Sequence, residues 1–178
     1  MHGLIFAGLR DYSVERLGEP RAAELWADRA FELAEAYDDE WFAAQLDRLA
    51  AATGAPRADV ERDFGRFAAR ETFAKLYPGY YAESRDVYAF LLGIEEKIHE
   101  LVRATVPGAR PPYLHVRELG QHGVVISYTS DRGLCGLLEG LVAGTAETLG
   151  DRVVVEQIQC MHRGDPGCVF TVVASEDG

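Results

Sequence analysis

Three side chains with hydrogen-bond donors alternate near the end of a run rich in β-branched residues: Tyr128, Ser130 and Arg132. Alternate residues of a strand project to one face, so a strand that continues this far would place a phenol, a hydroxyl and a guanidinium in a row. A guanidinium offers a fork of N–H donors that matches a carboxylate. The row could therefore hold a dianionic group, although the polar face of a solvent-exposed edge strand would show the same pattern.

A histidine on the longest predicted helix, residues 86–105, is a second candidate. His99 lies off the main apolar stripe of this helix and shares a second line with Leu92 and Val106. A neutral imidazole against an apolar wall suits an axial ligand of haem iron. A half-buried or solvated histidine would give the same pattern. The main stripe consists of Val87, Phe90, Leu91, Ile94, Ile98 and Leu101.

The three cysteines are Cys135, Cys160 and Cys168, and the last two flank a segment rich in turn-forming residues. Thiolates that face each other across a hairpin can share a tetrahedral zinc ion, with Cys135 as a third ligand and His162 as a candidate fourth. A redox-sensitive pair of cysteines and plain thiols without metal are the alternatives. An odd number of cysteines argues against a disulfide framework.

Helical periodicity in the first two thirds of the chain gives way to β-branched runs in the last third. This order predicts an α+β fold, in which a helical N-terminal lobe packs on a C-terminal lobe with a four-stranded antiparallel sheet. We expect a turn at 77–81. The predicted helices are 1–18, 20–36, 41–52, 58–76, 86–105 and 134–148, and the predicted strands are 113–116, 123–130, 153–159 and 169–174.

The chain of 178 residues has 29 acidic and 18 basic side chains, which give a net charge of −11. This acidity disfavours nucleic acid and anionic membranes as partners. No apolar run approaches the ~20 residues of a membrane-spanning helix, so we expect a cytoplasmic protein. No nucleophile–base pair, phosphate loop or carboxylate pair is apparent, and we therefore expect a protein that is not an enzyme.

Taken together and in this order, these features resemble the H-NOX (haem nitric oxide/oxygen binding) family, and in particular its stand-alone bacterial nitric oxide sensors. The resemblance covers nearly the whole chain. It depends on Met1-x-Gly3-x-Ile5, on His99, on Pro107-Gly108-Ala109-x-Pro111-Pro112, on Tyr128-x-Ser130-x-Arg132 and on a helix with Gly140 and Gly144.

The resemblance implies one domain over 1–178 that carries haem b between its lobes, with a helical subdomain at 1–60 and a haem-bearing subdomain at 61–178. His99 would be the proximal iron ligand. Tyr128, Ser130 and Arg132 would bind the haem propionates, and Pro112 would press on the porphyrin and distort it.

In this family, oxygen binders carry a distal tyrosine on the helix after the triad, and that position here is Leu137. Ile5 and Leu141, also apolar, would complete the distal wall. Ferrous haem binds nitric oxide without a hydrogen-bond donor, whereas bound oxygen needs one. The resemblance therefore implies a sensor that binds NO and CO, excludes O₂, and releases His99 when NO binds.

The resemblance also implies a histidine kinase or a cyclic-di-GMP enzyme as a separate signalling partner. Some bacterial members hold zinc through cysteines and a histidine three residues before the second cysteine; here that residue is Gln157, so the fourth ligand stays open between Gln157 and His162. Two other functions also stay open: a thiol- or zinc-based redox switch that regulates a partner, and a haem-free module that binds a small molecule.

Overall fold

The computed structural model describes residues 1–26 and 31–175. Its helices divide into a group before residue 110 and a single long helix between two strands. They are α1 (Gly3–Leu17), α2 (Glu19–Trp26), α3 (Asp39–Thr53), α4 (Arg57–Phe67), α5 (Ala74–Leu76), α6 (Pro78–Glu83), α7 (Val87–Ile94), α8 (Glu100–Thr105) and α9 (Cys135–Leu149). Two π-helical segments, Ala68–Phe73 and Glu95–His99, join α4 to α5 and α7 to α8.

The predicted helices at 1–18, 41–52, 58–76, 86–105 and 134–148 are confirmed. Within the first part of 86–105, Val87, Phe90 and Leu91 are buried as predicted, whereas Leu101 is exposed.

The helix predicted at 20–36 is correct only in its first part. It ends at Trp26, residues 27–30 lie outside the described residues, and 31–36 is not helical. There the backbone bonds to the start of the chain: Gly3 N–H donates to the Glu35 carbonyl at 2.7 Å. A contact between distant segments thus replaces the helical bonds that local periodicity favours.

The turn predicted at 77–81 is largely wrong, because α6 begins at Pro78. Proline suits the first position of a helix, where its missing N–H is not needed. Only Tyr77 breaks the helical path between α5 and α6.

The predicted sheet is confirmed. In the described residues it has four antiparallel strands in the order β1-β2-β4-β3: β1 (Tyr113–Glu118), β2 (Gly123–Thr129), β3 (Val153–Gln159) and β4 (Cys168–Ala174). β2 is an inner strand, so the edge-strand reading of the polar row is wrong. In the register of β2 and β4, Tyr128 lies opposite Cys168.

Two groups of buried apolar side chains form the interior. One lies between the sheet and α9 and includes Ile126, Val142 and Phe170. The other lies among α1, α3 and α4 and also takes Leu134 and Leu137 from the C-terminal part. α4 contributes Val60 and Phe64 to this second group, one on each side of the division at 60/61, which stays a proposal.

Helices α4 and α9 approach each other closely because glycines lie at their contact. A Cβ atom on Gly140 would stand 2.0 Å from the Arg62 carbonyl oxygen, and one on Gly65 would stand 2.3 Å from that of Leu137. At the rim, Arg62 Nε donates to Glu139 Oε2 at 2.9 Å. The helical lobe is therefore joined to α9 by direct contact between backbones.

None of the helices in the ranges 1–26 and 31–175 combines the length and the hydropathy that crossing a membrane requires.

The backbone contact predicts that Gly140→Ala is destabilising. The new methyl group must push α4 away, which should lower the free energy of unfolding in urea by about 1–3 kcal/mol. Gly79→Ala is the matched control, since Gly79 is also helical and a Cβ there meets nothing within 4 Å. Equal stability of the two variants would contradict the close contact.

Candidate functional site

Tyr128, Ser130 and Arg132 lie where β2 passes into the turn before α9. β2 ends at Thr129, so the strand predicted to 130 is one residue too long. The turn is closed by Gly133 N–H, which donates to the Ser130 carbonyl at 3.2 Å. Gly133 has φ +62°, a left-handed conformation that glycine adopts readily. The turn, and not strand alternation alone, positions Ser130 and Arg132.

Tyr128 is buried beside this turn, and the Ser130 side chain bonds to the turn's own backbone. Tyr128 is 3% exposed. Burial raises the pKa of Tyr128 and outweighs the opposite effect of the nearby Ser130 hydroxyl and Leu134 N–H. The Ser130 hydroxyl oxygen accepts from the Arg132 N–H at 3.3 Å. The structure therefore brings the predicted triad together at one corner of the sheet.

The Arg132 guanidinium points toward the helical lobe. Its side chain is 12% exposed, and its Nε donates to Asp39 Oδ1 at 2.8 Å. A second guanidinium nitrogen donates to the Arg110 carbonyl oxygen. A guanidinium carries five N–H donors, so these two contacts leave donors for a further carboxylate.

Asp39, at the start of α3, receives several cationic groups. Besides Arg132, the amino group of Met1 donates to Oδ1 at 2.6 Å and Arg110 donates to Oδ2 at 3.3 Å. Burial raises the pKa of Asp39, but the bonds from Arg132 and the amino group outweigh it and hold the pKa below the usual 3.8. The carboxylate therefore connects the chain terminus, α3 and the triad turn.

His99 ends the second π-helical segment, and its side chain is 13% exposed. Nδ1 lies 2.9 Å from Glu95 Oε2. Burial lowers the pKa of His99 and outweighs the opposite effect of Glu95, so the neutral ring is favoured. A neutral ring that donates through Nδ1 leaves the Nε2 lone pair for a metal. Among the described residues, Nε2 has no hydrogen bond.

An apolar recess lies between α1, the first π-helical segment and α9. Its cavity volume is small, about 10 Å³, and its lining includes the three predicted distal residues. Thr72 has the one side-chain hydroxyl among the residues that line it. The lining consists of Leu4, Ile5, Gly8, Phe64, Ala68, Thr72, Phe73, Leu137 and Leu141.

Pro112 is half-buried in the segment between α8 and β1, next to the first residue of β1. No described contact assigns it a role, so its pressure on a porphyrin stays a proposal.

These residues fit a haem group. Nε2 of His99 is available as an iron ligand, the recess offers an apolar wall, and the triad turn offers donors for carboxylates. An axial imidazole, an apolar pocket and polar groups for the propionates are what haem requires of a protein.

The cysteines form a cluster beside the triad turn, where Cys168 lies opposite Tyr128 in the sheet. The Sγ atoms of Cys135, Cys160 and Cys168 all lie within 4.8 Å of one another, and the three residues are buried. Burial raises the pKa of Cys135 to about 12. Burial also raises that of Cys160, but hydrogen bonds from the His162 and Arg163 backbones and from the other two thiols lower it overall.

The two candidates for a fourth ligand differ in their contacts. His162 is exposed, and its Nε2 lies 2.6 Å from the Gly133 carbonyl oxygen, to which it must donate. The Gln157 side chain lowers the pKa of Cys135, although by less than burial raises it. The amide nitrogen of Gln157 is buried without a hydrogen-bond partner among the described residues.

Sequence reasoning missed Asp39, Glu95 and Arg103. The spacing of Glu95 to His99, one helical turn, is a signal that could have identified this pair. Asp39 has no such signal, because it is 93 residues from Arg132 in the chain.

Known proteins resemble this chain in sequence and in fold. A family model described as Haem-NO-binding matches residues 2–157. The chain therefore belongs to the Haem-NO-binding (H-NOX) family, whose domains are haem-based gas sensors. No curated protein sequence matches the chain.

Solved H-NOX structures share the fold over the whole chain. An H-NOX protein from Shewanella oneidensis in the Fe(II)NO ligation state is 25% identical, with a TM-score of 0.91 over 99% of this chain and 100% of that chain. The Fe(II)CO form of an H-NOX domain from this organism is 25% identical, with a TM-score of 0.88 over 99% and 100%. An oxygen-binding H-NOX domain related to soluble guanylate cyclases, 21% identical, has a TM-score of 0.85 over 99% and 96%.

The Asp39 network predicts a pH-dependent effect of Asp39→Asn. At pH 7 the variant should lose about 1–2 kcal/mol of unfolding free energy, since its partners, three cationic groups, then face a neutral amide. The folded pKa lies below the usual value, so the stabilisation is present above pH 3.8 and disappears as pH falls through the folded pKa. Urea unfolding from pH 7 to pH 3 measures it.

Asp38→Asn is the matched control, because Asp38 is the exposed neighbour and makes no cap hydrogen bond. A loss in Asp39→Asn that matched this control, or that persisted unchanged at pH 3, would contradict the network.

Proposed function

We propose that this domain is a nitric oxide sensor that excludes oxygen. The observation that carries the proposal is the apolar lining of the recess, where Leu137 is 9% exposed and packs between the two lobes. Bound oxygen develops negative charge and needs a nearby donor, whereas NO and CO bind ferrous iron without one.

The single hydroxyl of the recess does not alter this proposal. Thr72 Oγ1 lies 2.9 Å from where a Cβ on Gly8 would stand, so it faces the backbone of α1. Threonine is also much shorter than tyrosine and reaches less far into the recess.

In this proposal His99 would hold the haem, which when bound would supply ferrous iron as the site for NO, and His99 would be released when NO binds. Tyr128, Ser130 and Arg132 hold the propionates and so fix the haem edge to the triad turn. Release of His99 would free the helix 87–105 to shift, and such a shift can change a surface that a partner reads.

The contacts of Arg132 offer a route by which NO binding would affect the helical lobe. Its bond to Asp39 joins the triad turn to α3 and to the chain terminus. A change at the propionates would therefore reach the helical lobe through one ion pair. We propose a histidine kinase or a cyclic-di-GMP enzyme as the separate partner, with no catalysis by this domain and with the cytoplasm as its location.

Leu137→Tyr tests the oxygen exclusion. A tyrosine hydroxyl in the recess should add a hydrogen bond of roughly 1.5–3 kcal/mol to bound oxygen, which corresponds to a ~10–100-fold higher oxygen affinity. Absorption spectra of the reduced protein titrated with air-saturated buffer measure it, and Leu137→Phe is the matched control for size.

A stable oxygen complex of the unaltered protein would contradict the proposal. So would equal oxygen affinity in the tyrosine and phenylalanine variants.

A second proposal concerns the cysteine cluster, which the distances among its sulfur atoms favour. We propose that Cys135, Cys160 and Cys168 bind a zinc ion, with water or another small ligand in the fourth position and the exposed His162 ring, which bonds to Gly133, not required. A thiol redox switch in the same cluster is the alternative, and oxidation would then change partner binding without NO.

Metal content of the purified variants tests the zinc proposal. Cys168→Ser should lose bound zinc and keep its haem, whereas His162→Ala, the control for a fourth ligand, should keep both. Elemental analysis after gel filtration in zinc-containing buffer measures this. Zinc that is absent from the unaltered protein, or that survives Cys168→Ser, would contradict the proposal.

A further inference from the structure

Glu95 holds the side chain of His99 and two other donors on one carboxylate. Its Oε2 lies 2.9 Å from His99 Nδ1 and 3.4 Å from the Leu114 N–H, which donates to it. Its Oε1 accepts from the Arg103 guanidinium. Both oxygen atoms are therefore engaged, one by the histidine and by β1, the other by a cation.

The local backbone explains why these side chains meet. Glu95, His99 and Arg103 follow one another at intervals of four residues along the helix, so they lie on one face. The first two bound the second π-helical segment, a widened turn that is often found at functional sites. The bond to Leu114 ties this face to the sheet.

The cluster is not an ordinary surface ion pair. The His99 side chain is 13% exposed, and those of Glu95 and Arg103 are 29% and 30% exposed. The Nη1 atom of Arg103 is buried without a hydrogen-bond partner among the described residues, and the guanidinium lies over the Tyr113 ring at 5.6 Å. Partial burial strengthens interactions between charges compared with solvent.

We infer that Glu95 is a positioning residue for the iron ligand, and this inference rests on the proposed ligation of haem by His99. Its carboxylate holds the imidazole as the Nδ1–H tautomer and raises the donor strength of Nε2. Arg103 moderates this effect because it shares the same carboxylate.

Glu95 would therefore set the strength of the bond between His99 and iron. A carboxylate behind a metal-bound imidazole fixes the ring and raises its basicity. A more basic ligand favours ferric over ferrous iron and so lowers the reduction potential. It also resists departure from the iron, so Glu95 would set how readily NO binding releases His99.

Glu95→Ala and Glu95→Gln test the inference in the haem-loaded protein. Resonance Raman spectroscopy of the ferrous form reports the stretching vibration of the bond between iron and His99. Its frequency should fall in the order unaltered protein, Gln, Ala, since the amide oxygen is a weaker acceptor than the carboxylate. The reduction potential should rise in the same order. Haem transfer to a scavenger protein should become about 10-fold faster or more in Glu95→Ala.

Two further variants separate this role from a structural one. Arg103→Met removes the competing cation, so the stretching frequency should rise and the potential should fall, opposite to Glu95→Ala. Glu96→Gln is the matched control, because Glu96 is exposed on the same helix, and it should change neither. Loss of packing alone would not shift the stretching frequency in opposite directions in Glu95→Ala and Arg103→Met. Frequencies that stay within the spread of the control would overturn the inference.

A measurement without haem keeps failure of this inference distinct from failure of the proposed function. In the apoprotein, ¹⁵N NMR should show His99 with its proton on Nδ1, and Glu95→Ala should shift the proton toward Nε2. If His99 is not the haem ligand but this tautomer shift occurs, haem ligation fails while the positioning contact stands. An unchanged tautomer would overturn the positioning role itself.

Discussion

The close contact between α4 and α9 is the constraint on which the site depends. Gly65 and Gly140 allow the two backbones to approach to a distance that a Cβ atom would prevent. α9 begins directly after the triad turn and carries Cys135, Leu137 and Leu141, while α4 contributes Phe64 to the recess. One helix pair thus fixes the apolar recess relative to the triad turn and to the thiol cluster.

Two carboxylates secure the segments that this contact does not reach. Asp39 draws the chain terminus, α3 and Arg132 together, and Glu95 draws His99, Arg103 and β1 together. Each accepts from more than one cation or N–H donor, which favours the ionised form even in partial burial. The residues that would hold a haem through its iron and through a propionate, His99 and Arg132, are each bonded to a carboxylate.

The fold and much of the site were predictable from sequence, for reasons that differ by element. Apolar periodicity identified the strands and most helices, because an element that buries one face repeats apolar residues at its own structural period. It failed at 31–36, where backbone bonds to Gly3 replace a helix. The thiol cluster followed from turn residues between Cys160 and Cys168, which bring two strand ends together. The role of Asp39 could not be predicted from sequence, since no local pattern links it to Arg132.

The central claim is that NO at the haem breaks the bond to His99. The absorption spectrum of the reduced protein before and after addition of NO, without oxygen, tests it most directly. The account predicts that the Soret band moves to shorter wavelength, which reports that His99 has left the iron. A purified protein that takes up no haem, or a Soret band that keeps the position of six-coordinate haem with NO bound, would contradict it.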